Sequence, residues 1–190
     1  MTNLMTELLQ GLNLYLIGMM GTGKTTIGYQ LAQQLGYRFF DTDVLIERVT
    51  GQTIKTLFAE LGEENFRALE SRVLGEVASC TRSVIATGGG IVLRSENWGL
   101  LRHGLIIWLD APIALLVERL KEDQTRPLLA EEDLATKLIT LSAQRQHLYA
   151  EADLHIKITD TQTPEEIITN ILTQLPTVLI SSQISQAEQN

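Results

Sequence analysis

Residues Gly18-Met-Met-Gly21-Thr22-Gly23-Lys24-Thr25 fit the pattern G-x-x-x-x-G-K-[ST], and the flanking segments give that pattern a physical setting. Ahead of it, residues 12–17 form a short apolar run with one aromatic residue, suited to a buried parallel strand. Behind it, from Thr26 onward, Ile27, Leu31 and Leu35 recur at helical spacing, and Gly36 closes the segment as a helix C-terminal glycine does. A strand that hands a glycine-rich loop to the start of a helix aims converging backbone N–H groups and the positive end of the helix dipole at one anion. In that setting Lys24 reaches the β- and γ-phosphates of a nucleoside triphosphate, and the Thr25 hydroxyl ligates Mg2+. The competing reading is a glycine-rich turn followed by a chance Lys-Thr, which leaves the strand and helix on either side without a purpose.

With 190 residues, 44% of them apolar, the chain is long enough for one well-buried α/β domain. Asp and Glu outnumber Lys and Arg 23 to 15, for a formal charge of −8. That balance argues against a broad nucleic-acid footprint and for small-molecule chemistry at the phosphate loop. The single cysteine, Cys80, excludes an internal disulfide framework and fits a reducing cytosol. The most apolar segment, residues 105–117, is interrupted by Asp110 and Pro112, and no basic leader precedes an apolar stretch, so neither a membrane span nor a signal peptide is expected.

Strand-like and helix-like segments alternate along the chain, the pattern of a parallel sheet covered by helices on both faces. Strands are expected at residues 37–40, 83–87, 105–109 and 154–158, after the one at 12–17. Helices are expected at 44–50, at 53–61 up to Gly62, and from Glu63 to about Ser79. Further helices are expected from Pro112, with the proline in the first turn, at 135–149, and from Pro164 to Leu175, where Pro176 ends it. Residues 123–132 are polar and aperiodic and read as a mobile loop. Residues 1–11 form an N-terminal extension and residues 176–190 a C-terminal tail, both peripheral to the domain at 12–175.

Charged residues and glycines gather at strand ends, where the ligand crevice of an open α/β sheet lies. Asp41 and Asp43 follow the second strand at i, i+2, and an extended backbone would aim both to one side. One then serves the metal shell while the other contacts an acceptor hydroxyl; alternatively Asp43 caps the next helix and Asp41 is merely solvated. Arg67 and Glu70 share a helix face at i, i+3, either locking a guanidinium fork for an acidic substrate or making an ordinary solvated contact. Gly88, Gly89 and Gly90 end the third strand, giving a ligand direct access to backbone N–H groups and opening torsions closed to other residues; a plain tight turn is the rival reading. Arg126, in the polar loop, can close over a transferring phosphate, with Arg119 on the preceding helix. Arg145 and Tyr149 make an i, i+4 pair near the last strand. His103, His147 and His155 show no metal-ligand spacing.

Taken together these segments resemble the shikimate kinases. The resemblance covers nearly the whole chain from about Leu12 to Leu175. It rests on residues 18–28, Phe-Phe-Asp-Thr-Asp at 39–43, Phe-Arg-Ala-Leu-Glu at 66–70, Ala-Thr-Gly-Gly-Gly at 86–90, Arg-Pro-Leu-Leu at 126–129 and Arg-x-x-x-Tyr at 145–149. It implies a nucleoside-monophosphate-kinase-like, three-layer α/β sandwich with five parallel strands ordered 2-3-1-4-5. The implied reaction carries the γ-phosphate of ATP to the 3-hydroxyl of shikimate, in aromatic amino acid biosynthesis, in a cytoplasmic monomer with no nucleic-acid or membrane partner.

By that resemblance Gly21, Thr22, Gly23, Lys24, Thr25 and Thr26 hold the ATP phosphates. Thr25 ligates Mg2+, with Asp41 supporting the ion through water. Asp43, Arg67, Gly89 and Arg145 bind shikimate, flanked by Gly88 and Gly90, and the arginines hold its carboxylate. Lys24, Asp43 and Arg126 carry the catalytic charge work, while Arg119 and Pro164 flank adenine. Residues from about 43 to 71 form the substrate subdomain and residues 123–132 the lid. Gluconate kinase shares the architecture and also takes a hydroxy acid; a catalytically silent nucleotide-binding regulator of this fold is the rival from another class.

Overall fold

Short segments, continuously apolar at the sheet centre and mixed at its edges, become the five strands: β1 (Leu14–Ile17), β2 (Arg38–Asp41), β3 (Ser83–Ala86), β4 (Leu105–Asp110) and β5 (Leu154–Lys157). In the computed structural model, which describes residues 2–121 and 134–187, they pair in parallel in the order β2-β3-β1-β4-β5. Helices cover both faces of such a sheet, so β1 and β3 are buried at every residue and carry continuous apolar runs. The edge strand β5 alternates buried and exposed positions instead. Register places the chemistry. Leu16 lies opposite Ala86 on one side and Ile107 on the other, and Asp41 lies opposite Ala86, so the loops leaving β1, β2 and β3 open onto one crevice.

Helix α2 (Lys24–Leu35) ends at Gly36, whose left-handed conformation lets its N–H return to the last carbonyls. Inside it, Gly28 packs so close that a Cβ there would meet Leu16 and Phe39. Helix α3 (Thr42–Thr50) stops at a left-handed Gly51, and α4 (Ile54–Ala78) is broken at Gly62 (φ 74°, ψ 168°), where the expected boundary between two helices falls. Between α3 and α4 a small apolar cluster of Ile46, Leu57, Phe66 and Val73 stands apart from the main core. A 3-10 turn (Ile91–Leu93) and α5 (Ser95–Leu101), neither anticipated, fill the span before β4; the buried Asn97 and Trp98 tie them together by donating to the Ile91 and Val92 carbonyls. Helix α6 (Ile113–Leu120) starts one residue later than expected. Pro112 stands outside it in an extended conformation and accepts the first helical bond from the Leu116 N–H. Helix α7 (Leu134–Tyr149) precedes β5.

Both chain ends depart from expectation. Residues 2–9 form helix α1 (Thr2–Leu9): Leu9 is fully buried, Met5 and Leu8 pack on the main core, and the Thr6 hydroxyl donates to the Leu35 carbonyl at the end of α2. Helix α8 (Pro164–Ala187) does not end at Pro176 but runs through it. An interior proline costs about 3 kcal/mol. Leu175 before it and Leu179 after it are both buried, and burial worth about 1.5–3 kcal/mol for each such side chain offsets that cost.

If α1 belongs to the core, Leu9→Ala should lower the unfolding free energy by about 2–3 kcal/mol, seen as a lower urea midpoint at unchanged slope. A midpoint equal to wild type would show that this helix adds nothing to the fold.

Candidate active site

At the N-terminus of α2, Gly23 (φ 93°) is the capping residue, and no acidic side chain occupies the first turn to compete for an anion. Gly18, at φ 136°, passes so near the Leu109 carbonyl that any Cβ would overlap it. The buried Lys24 ammonium donates to the carbonyls of Gly18 and Met19, both at 2.8 Å, which holds the charge inside the loop it serves. Arg119 on α6 donates to the Gly21 carbonyl at 3.0 Å and braces the loop from outside.

Asp41 is the last residue of β2 and the N-cap of α3. Its Oδ1 accepts the N–H groups of Asp43 (3.0 Å) and Val44 (3.2 Å), while its Oδ2 accepts the Thr25 hydroxyl at 2.6 Å. This corrects the expectations at this motif. The cap is Asp41 rather than Asp43, and Asp43 sits in the first helical turn, not on extended backbone. Even so, Asp41 and Asp43 line the same 850 Å³ cleft as residues 21–26, Arg119 and Pro164. The cleft also takes in Glu47, Lys55 and Gln162, for which the sequence offers no pattern.

Next to this cleft lies a pocket of about 50 Å³, and Asp43 lines both. Its other polar walls are Arg67, Glu70, residues 88–90 and Arg145. Arg67 and Glu70 do not form the solvated contact that was one reading of their spacing: they are 7% and 1% exposed, paired at 2.8 Å from Nη1 to Oε2. The rings of Phe58 and Phe66 lie 5.3 and 5.4 Å from the Arg67 guanidinium carbon and cover it by cation–π contact. Arg145 is 3% exposed. Among the described residues, the Nε atoms of both arginines are buried donors with no partner. Two guanidinium groups on the walls of one small pocket suit a ligand that brings a carboxylate.

The glycines have a different reason from the one expected. None of residues 88–90 has a positive φ; what they supply is room. A Cβ on Gly88 would collide with Glu70 and Asp43, one on Gly90 with the Arg67 guanidinium, and one on Gly89 would press the Gly18 carbonyl. Two side chains pin this loop: the Gly88 N–H donates to the Thr42 hydroxyl at 3.0 Å, and the Tyr149 hydroxyl donates to the Gly89 carbonyl at 2.6 Å. Sequence reasoning passed over Thr42, since a threonine between two aspartates carries no signal of its own. Arg126 and the rest of the loop at residues 123–132 lie outside the described residues.

Burial pushes the Glu70 carboxyl above its ordinary range, and the Arg67 charge pulls it part of the way back. Burial likewise pushes the Tyr149 phenol up to about 12, so it stays a neutral donor. A raised carboxyl binds its proton more readily in the folded state. Its stabilising effect is therefore complete below the unfolded value near 4.5 and declines as pH rises through the folded value. Glu70→Gln lacks that decline. The stability of wild type relative to this variant should fall as pH is raised from 4 toward neutral, measured by urea unfolding along a pH series. A difference that rises with pH would mean that pairing with Arg67 outweighs burial.

The family model described as shikimate kinase matches residues 20–176. The shikimate kinase of Rippkaea orientalis is 63% identical over 173 residues, which is 91% of this chain and 92% of the relative. Among solved structures, the shikimate kinase from Acinetobacter baumannii in complex with shikimate superposes with a TM-score of 0.82 at 38% identity, covering 90% of this chain and 96% of the other. A gluconokinase from Sinorhizobium meliloti shares the fold, with a TM-score of 0.58 over 92% of this chain and 97% of its own, but at 16% identity it carries no more than the fold. Similarity thus extends over nearly the whole chain, and the chain belongs to the shikimate kinase family.

Proposed function

We propose that this chain transfers the γ-phosphoryl group of ATP to the 3-hydroxyl of shikimate, giving shikimate 3-phosphate and ADP, a step toward chorismate and the aromatic amino acids. One observation supports this reading most: Asp43 lines both the 850 Å³ cleft of the phosphate loop and the small arginine pocket, so a hydroxyl held against Asp43 faces the nucleotide. Phosphoryl transfer asks little covalent chemistry of the protein; it asks for alignment and charge neutralisation. Backbone N–H groups of residues 21–26 and the Lys24 ammonium bind the phosphates, and Arg119 and Pro164 border the adenine end. Arg67 and Arg145 fix the shikimate carboxylate, which turns the acceptor hydroxyl toward Asp43. Asp43 orients that hydroxyl and accepts its proton as the phosphoryl group arrives.

Thr25 and Asp41 suit a hard divalent cation, since a hydroxyl and a carboxylate oxygen meet at 2.6 Å beside the loop. These two residues would hold Mg2+, Asp41 through water; when bound, the ion supplies neutralisation of phosphate charge. Arg126 acts as the arginine of a lid at residues 123–132, and residues 43–71 form the acceptor subdomain of a single kinase unit at 12–175. The enzyme works as a cytoplasmic monomer.

ADP release measured with shikimate and then gluconate as sole acceptor tests the reading. Turnover with shikimate and none with gluconate is expected; the reverse would transfer this chain to the sugar-acid kinases. Lys24→Ala should abolish nearly all turnover, because a loop ammonium neutralises charge rather than filling the core; wild-type turnover in that variant would remove the loop from the mechanism. Arg145→Ala should weaken shikimate binding by about 1.5–3 kcal/mol, roughly ten- to a hundredfold, with ATP affinity nearly unchanged. Truncating Arg67 would strand the buried Glu70 and destabilise the fold as well. Arg67→Lys is the better probe: it keeps the charge, loses the planar fork, and should recover only part of the affinity. Full affinity in both variants would show that the acceptor carboxylate binds elsewhere.

A further inference from the structure

The Gly88–Gly90 loop is held from two sides by side-chain hydroxyls. On one side the buried Thr42 hydroxyl accepts the Gly88 N–H at 3.0 Å, and Thr42 is the immediate neighbour of Asp43. On the other, the buried Tyr149 hydroxyl donates to the Gly89 carbonyl at 2.6 Å, and Tyr149 stands one helical turn after Arg145 on α7. The Tyr149 hydroxyl also lies 3.8 Å from the Met19 sulfur of the phosphate loop, and its ring stacks on Trp108 of β4 with centroids 5.9 Å apart. Thr87, at the root of the loop, donates its hydroxyl to the Leu16 carbonyl at the end of β1.

We propose that Thr42 and Tyr149 are positioning residues that use the glycine loop as a spacer, setting Asp43 and Arg145 at the separation an acceptor needs to span from its carboxylate to its reacting hydroxyl. The inference rests on the acceptor-site reading above. The glycines bring no side chain of their own with which to anchor the loop. The Thr42 bond is buried and the Tyr149 bond partly so, which limits how far a solvent bond can replace the first when it is removed. The division of labour follows from the neighbours. Losing the Thr42 bond shifts the loop against Asp43, which bears on the reacting hydroxyl and hence on turnover. Losing the Tyr149 bond shifts it against Arg145, which bears on capture of the carboxylate and hence on acceptor binding.

The test uses the full-length enzyme with Thr42→Val, Thr42→Ser, Tyr149→Phe and the Val/Phe double variant, reading kcat, KM for shikimate, KM for ATP and thermal midpoint. Thr42→Val should lower kcat by about tenfold, since small misplacements of reacting groups are expensive, with shikimate KM little changed. Tyr149→Phe should raise shikimate KM by about three- to tenfold, one lost hydrogen bond's worth, with ATP KM unchanged. Thr42→Ser keeps the hydroxyl and should restore most of the turnover even if the valine variant folds poorly. Because both bonds fix one loop, the double variant should lose less in kcat/KM than the product of the single losses. Wild-type kinetics in Thr42→Val and Tyr149→Phe, lowered midpoints with intact kinetics, or strictly multiplicative losses would each overturn the proposal and leave the two residues as fold supports. A wild-type enzyme that does not phosphorylate shikimate would instead overturn the acceptor reading, and the spacer with it.

Discussion

The acceptor side is built around one demand, the burial of the Arg67 guanidinium. Removing an ion from water costs several kcal/mol, and attraction to a buried partner returns that only when the geometry is close and the remaining donors are used. Glu70 meets the first condition at 2.8 Å, and the faces of Phe58 and Phe66 soften the rest. The second condition shapes the surroundings. Beyond the break at Gly62, the i, i+4, i+7 spacing puts Glu63, Arg67 and Glu70 on one helix face. The backbone of Gly90 then lies against the guanidinium, where any side chain would displace it. What stays unmet among the described residues is the Nε donor, together with its counterpart on Arg145.

The nucleotide side solves its electrostatics by other means. A chain of formal charge −8 repels anions at a distance, so the attraction that captures a triphosphate has to be local. The groups placed to supply it are the backbone N–H groups at the start of α2, Lys24 held across the loop by two carbonyls, and Arg119 bound to the Gly21 carbonyl. Among the described residues, the two halves share Asp43 and Ile54 as common walls. A single carboxylate at the junction keeps the region between the cationic clusters from becoming a second anion trap.

The parts of this structure that were legible in the sequence are those written in short periods. Apolar runs of four to six residues became strands, and the chemistry landed at their carboxyl ends. What was not legible depends on depth and on competition between neighbours. An i, i+3 Arg–Glu spacing says that two residues face each other but not whether the face is buried, and only the fold shows Glu70 at 1% exposure. Between Asp41 and Asp43, two residues compete to cap one helix, and the strand's register decided for Asp41. Helix α1 offered Met5, Leu8 and Leu9 within eight residues, too few for a period to stand out, yet these side chains pack on the core. Pro176 read as a stop because a local rule was applied where tertiary burial of Leu175 and Leu179 prevailed.

Glu70 plays two opposed parts, and burial decides how they trade. As an anion it fixes the Arg67 fork, which lowers the ordering needed when a carboxylate arrives; the same anion competes with that carboxylate for Arg67. A carboxyl whose proton affinity is raised by burial sits nearer the neutral form than a surface glutamate, which weakens the competition while a hydrogen bond to Arg67 can persist. Tyr149, pushed up to about 12, has no such second state, so the bond that anchors Gly89 does not vary with pH. Glu70 thus answers to pH together with the charges that face it, Arg67, Arg145 and Asp43, while the Tyr149 anchor of the glycine loop stays neutral.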